Sequence, residues 1–159
     1  MNEMRTPAGE GSARPERADR ARWMGLLARA QPDALARLMP DDLPAHSFLR
    51  PPEIGAVMVR GRIGGTGAPF NLGEMTVTRC SLKLAGGEVG HAHVQGRDKR
   101  HATEAALIDA LMQTDRADEV RTRVLDPLAA DEAARRAERA GKAAATKVEF
   151  FTLVRGEDQ

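Results

Sequence analysis

Between Val89 and Met112 the hydrophobic period of the chain changes once, and that change limits the fold more than any other stretch. Val89–Gln95 reads as a strand. Gly96 follows, then four consecutive charged residues, Arg97, Asp98, Lys99 and Arg100. From there Ala102, Ala105, Leu107, Ile108, Leu111 and Met112 recur at helical spacing. A strand, a glycine corner and an amphipathic helix in immediate succession point to a sheet with helices packed on it.

The remaining segments fit that frame. Arg17–Ala30 carries Trp23, Leu26, Leu27 and Ala30 on one side, which predicts a helix, and the proline-led segment PDALARLM predicts a second, shorter one. Pro51 and Pro52 separate a short extended piece from a strand over Glu53–Ile63. The glycines of GGTGAPFNLGE make that stretch a loop, because they supply backbone angles other residues avoid. Met75–Leu84 is the next strand, with Thr76, Thr78, Cys80, Leu82 and Leu84 on one face, and AGGE is a hairpin-length link to Val89. Val120, Val124, Leu125 and Leu128 mark a helical piece interrupted at Pro127, and the alanine-rich Ala129–Thr146 is helical by propensity. The last element is a strand over KVEFFTLVRG.

Helices, then strands, then helices, then a final strand imply an α+β fold with a mainly antiparallel sheet. The polar, Gly- and Pro-rich residues 1–16 read as a flexible, disordered tail, residues 17–156 as one domain, and residues 157–159 as a short C-terminal tail. In the final strand Val148, Phe150 and Val154 alternate with Phe151 and Leu153, so both of its faces are apolar. It is either a central strand covered by this chain's own helices or a strand covered on one side by a partner subunit.

Composition excludes several classes. A net charge of +1 and an aromatic fraction of 3% leave little for a nucleic-acid-binding module, which needs basic charge and stacking surface. Arg60 and Arg62 on one strand, with Arg79 and Lys83 on the next, nevertheless allow a basic sheet face. The single cysteine, Cys80, rules out an internal disulfide and suits a reducing cytoplasm. No apolar run approaches the ~20 residues of a membrane helix.

No reactive constellation stands out. His91, His93 and His101 are three imidazoles near one corner, yet no carboxylate or thiolate at ligand spacing completes a metal set. Cys80 shares its strand face with Leu82 and Leu84, as an inert buried thiol does. Arg62–Gly67, RIGGTG, lacks the Gly-Lys-Ser/Thr and following helix of a phosphate loop. It reads as a hairpin connection, or as backbone that a neighbouring subunit approaches closely. Asp98 is placed to cap the helix after it. Arg97, Lys99, Arg100 and His101 at that helix start admit three readings: a phosphate site, a contact with an acidic partner surface, or a solvated turn.

Four blocks carry a family resemblance: the Trp23 helix leading into ARAQPDALARL, then RIGGTGAPFNLGEMTVTR, VQGRDKRHATEAALIDALMQ and KVEFFTLVRG. Together they resemble the PhnG subunits of the bacterial carbon–phosphorus lyase system, from about Trp23 to Gly156. His91 and His93 depart from the aromatics that such subunits carry in this strand.

The resemblance implies a cytoplasmic subunit of a hetero-oligomer with PhnI, PhnH, PhnL and PhnJ. The complex is a transferase that displaces adenine from MgATP with an alkylphosphonate, giving a ribose 1-alkylphosphonate 5-triphosphate. The chain is then an accessory subunit, not catalytic alone, binding no cofactor or metal by itself and contacting neither membrane nor nucleic acid. The alternatives are direct binding of ATP phosphates or phosphonate through Arg97, Lys99 and His101, and a nucleic-acid-binding module. As candidate subunit contacts the sequence offers Arg62, Gly64, Gly65, Thr66 and Gly67, then Gln95, Gly96 and Asp98, and Phe150, Phe151 and Leu153.

Overall fold

The structure, a computed structural model, describes residues 17–145. Helix α1 (Arg17–Arg29) and helix α2 (Pro32–Leu38) come first, with Pro32 in the first turn of α2, where its missing N–H is harmless. Three strands follow, β1 (His46–Arg62), β2 (Pro69–Leu84) and β3 (Val89–Gln95). Helix α3 (Lys99–Leu111) leaves the corner after β3, and α4 (Ala117–Val120) and α5 (Asp126–Ala145) complete the described chain.

The strands form one antiparallel sheet in the order β1-β2-β3. This is the expected α+β architecture. Strand alternation sets the layers: Thr78, Cys80, Leu82 and Leu84 of β2 are buried with Ala92 and Val94 of β3. Helix α3 lies on that face, burying Ala102, Ala105, Ala106, Leu107, Ile108 and Leu111. Trp23 and Leu27 of α1, Leu35 of α2, and Val120, Val124, Leu125 and Leu128 near the α4–α5 junction close the core around it. Strand and helix touch closely at Gly90, where a β-carbon would collide with the carbonyl oxygen of Ala106 and lie 2.9 Å from the Ala110 methyl. Only glycine fits beneath α3 at that point.

Three sequence expectations need correction. First, Pro51 and Pro52 do not break the strand: β1 runs through them, with register shifts between Phe48 and Arg50 and between Arg50 and Glu53. β1 lies at the sheet edge, so residues without an N–H are tolerated at the irregularity. Second, the loop before β2 is shorter than its glycines suggested. It ends at Ala68, and β2 begins at Pro69, with Gly73 paired opposite Val59. Third, Pro127 interrupts nothing. The helix is continuous from Ala117 to Ala145, and a wide π-type turn over Arg121–Leu125 lies just ahead of the proline. That turn absorbs the donor that proline lacks.

β3 pairs with β2 only from Val77 to Lys83, whereas β1 and β2 stay paired out to Arg62 and Pro69. Among the described residues the distal half of the β1–β2 hairpin therefore projects from the body as a two-stranded arm. The final strand predicted over KVEFFTLVRG lies outside the described residues, as do residues 1–16 and 157–159.

Candidate functional site

The charged corner is built by local hydrogen bonds. Gly96 donates its N–H to the Thr76 carbonyl (2.9 Å), and the Thr78 hydroxyl donates to the Gly96 carbonyl (2.8 Å). The Asp98 carboxylate accepts from the His101 N–H at 2.9 Å, which caps α3 as the sequence predicts. His101 turns inward. Its ring is buried, and Nε2–H donates to the Leu27 carbonyl at 2.8 Å, tying the end of α1 to the start of α3. Arg100 pairs with Asp33 at 3.1 Å and with Glu104 at 3.8 Å. Arg97, Lys99 and Gln95 are exposed.

The predicted contact residues therefore fall into two separate places. Arg62, Gly64, Gly65, Thr66 and Gly67 form the tip of the arm. Gly64 and Gly65 take φ of 59° and 81°, left-handed values that favour glycine, and Arg62 donates to the Gly67 carbonyl at 3.2 Å. Gln95, Gly96 and Asp98 lie beside the middle of β2, at Thr76 and Val77, about 26 Å from the tip at ~3.3 Å per residue. Phe150, Phe151 and Leu153 lie outside the described residues.

The imidazoles do not converge. His91 pairs with Ser81 (Nδ1 to Oγ, 2.8 Å) on the exposed sheet face, and His93 stands opposite Arg79 on that face. His101 is inside the helix layer. Among the described residues no group of three potential ligands is placed to hold a metal. Cys80 is buried, and desolvation raises its thiol above the ordinary value against a weaker opposing effect of the Thr103 hydroxyl.

By its register the exposed face is basic. Arg60, Arg62, Arg79 and Lys83 all stand on, or pair with, odd-numbered positions of β2. Glu53 opposes Arg79, and Arg50 opposes Ser81.

The most prominent surface is the arm, which sequence reasoning missed. Leu72 is 66% exposed and Ile63 65%, with Met58 and Phe70 about half exposed, and Ile54 is likewise half exposed where β1 enters the three-stranded part of the sheet. Even-numbered β2 positions share the helix-covered face nearer the body, but α3 does not reach this far. Phe70 and Leu72 thus form an uncovered apolar extension of the face that carries Thr78 and Leu82. The signal was present as the alternation of Phe70 and Leu72 with Asn71 and Gly73, hidden by the glycine count.

A second missed feature is Asp109, a carboxylate with 0% exposure. It accepts from Arg20 (2.7 and 3.1 Å), from Trp23 Nε1 (2.9 Å) and from the His91 backbone N–H (2.8 Å). Arg20 and Gln113 also donate to the Val89 carbonyl. Backbone groups on the outer edge of β3 are thereby satisfied by side chains instead of a further strand.

These features define the class: an α+β domain with a helix-covered sheet and a projecting apolar arm, the surface of a protein that joins others. The family model described as phosphonate metabolism protein PhnG matches residues 18–156. The chain is also 46% identical over 143 residues, 89% of its length and 92% of the relative's, to the alpha-D-ribose 1-methylphosphonate 5-triphosphate synthase subunit PhnG of Rhizobium meliloti (strain 1021). The chain belongs to the PhnG family.

Proposed function

We propose that this chain is an accessory subunit of the synthase that makes α-D-ribose 1-methylphosphonate 5-triphosphate, and that its β1–β2 arm docks on the PhnI subunit. The relative's description as a synthase subunit supports the complex. The observation that carries the docking role is the arm itself. A two-stranded hairpin is marginal by itself in water, and this one leaves Leu72, Ile63, Met58 and Phe70 uncovered. Covering them recovers roughly 25 cal/mol per Å² of apolar surface, a gain that docking on another subunit supplies. PhnH, PhnJ and PhnL complete the proposed complex, whose substrates are MgATP and an alkylphosphonate. No helix among the described residues is long and apolar enough to cross a membrane.

The test is co-expression of the tagged chain with the four partners. Wild type retains PhnI through purification. The double variant Ile63→Glu/Leu72→Glu binds it at least about 100-fold more weakly, because two charges would be buried in an apolar contact. Undiminished PhnI retention by that variant refutes the arm as the docking surface.

Direct substrate binding is the second reading. Exposed Arg97 and Lys99 at the start of α3 support it, since neither makes an ion pair among the described residues. Inward-turned His101 and paired Arg100 count against it. Unchanged adenine release by a complex carrying Arg97→Ala/Lys99→Ala dismisses it.

A further inference from the structure

Side chains cap only half of the outer edge of β3. Hydrogen bonds from Leu84 to Glu88 and from Gly96 to Thr76 close the two ends of the β2–β3 ladder, so the even-numbered residues of β3 bond to β2. Its odd-numbered residues then direct their N–H and C=O groups outward. At Val89 and His91 such groups meet Arg20, Gln113 and Asp109. Beyond that point the cover stops. The His91 C=O, both backbone groups of His93 and the Gln95 N–H have no hydrogen-bond partner among the described residues, and all three residues are exposed. Nothing in the stretch blunts the edge, for it holds no proline, lysine or bulge.

The two sides of this edge differ. On the helix side lies a space of about 210 Å³, walled by Met24, Gly25 and Ala28 of α1, and the glycine and alanine leave room for another strand. The open side of the sheet is mostly positive. His93 stands opposite Arg79, and Ser81 lies between Arg50 and His91. Glu53, opposite Arg79 and 3.8 Å from Arg50, is the carboxylate that the register places among them. Burial, then Arg79 and Arg50, lower the His93 pKa, so both cations act at the edge. The Arg79 Nε is covered and has no acceptor among the described residues.

On the reading that the chain works inside an assembly, we propose that the β3 edge from His91 to Gln95 receives an extended strand of a partner subunit, with carboxylates beside His91 and His93 and small apolar side chains toward α1. Main-chain pairing supplies the affinity, and the alternating side chains supply the selectivity. Partner residues opposite Ala92 and Val94 turn toward Met24 and Ala28, while those opposite His91 and His93 turn toward the cations. A second copy paired edge to edge would instead add Arg79 and His93 to a face that is already positive. In the described sheet β1 forms the opposite edge, so the arm and this site can be occupied together.

Amide-resolved hydrogen exchange tests this on the full chain, alone and in the complex co-purified with PhnI, PhnH, PhnJ and PhnL. The N–H groups of Ala92 and Val94, and the Asp109-bound N–H of His91, are internal references protected in both samples. Exchange at His93 and Gln95 should be at least about 100-fold slower in the complex. Free exchange there within an assembled complex overturns the proposal and leaves the accessory-subunit reading standing, whereas failure of any complex to form removes both. Protection already present in the chain alone overturns it too. Such protection belongs to a second copy where it rises with concentration, and to the chain's own residues where it does not. The variant His93→Pro deletes the outward N–H and leaves the β2 ladder intact. It should bind the partners at least about tenfold more weakly than His93→Ala, which keeps that donor. Equal retention of the two variants overturns the proposal.

Discussion

Asp109 joins three elements through one buried carboxylate. It sits on the buried face of α3 and binds groups from α1 and β3, so it fixes how the three elements meet. Asp109→Ala strands the Trp23 N–H, the Arg20 guanidinium and the His91 N–H together, at a cost of about 3 kcal/mol or more. Urea unfolding followed by Trp23 fluorescence should show that loss. Asp109→Asn should cost less, because the amide oxygen still accepts. His93 behaves differently. Partial desolvation, then Arg79 and Arg50, hold its pKa below the ordinary 6.5. As pH falls through that ordinary value the unfolded chain takes up the proton first, so its stability contribution is complete above this range and declines below it. The expected result is that His93→Gln loses less stability than wild type between about pH 7.5 and about pH 5.5, measured by urea midpoint. Sequence could place His93 on an exposed strand face. It could not show which cations share that face, because cross-strand register decides this.

At the scale of elements, the arm and the long C-terminal helix show how local signals were outvoted. Glycines 64, 65, 67 and 73 made a long loop the natural reading, yet Gly73 sits in a paired strand opposite Val59. Pro127 broke a helix on paper, and the wide turn before it keeps the helix whole. Strand β3, its corner and α3 needed no such help, because apolar period, glycine and the Asp98 cap agree there. The arm yields a prediction with two parts. Leu72 is mostly in solvent, so Leu72→Glu should shift the urea midpoint of the isolated chain by no more than about 0.5 kcal/mol equivalent. The same change should reduce PhnI retention strongly. Stability lost together with binding would mean that the residue packs within its own chain.

The described residues divide into a helix-covered body and a projecting hairpin. Ion pairs between exposed residues link the surface elements, as in Arg29–Glu132 between α1 and α5 at 2.7 Å and Arg100–Asp33 between α3 and α2. Each is individually weak, and the core carries the body's cohesion. Hydrophobic period and capping chemistry are local, so the chain's residue order alone determined the α+β class, most of its elements, the Asp98 cap and the family to which it belongs. Tertiary structure alone decided which apolar residues stay uncovered, where Asp109 finds its partners, and which way His101 turns. Those outcomes depend on strand register and on how far a helix reaches across a sheet, and both are set by contacts between residues far apart in the chain.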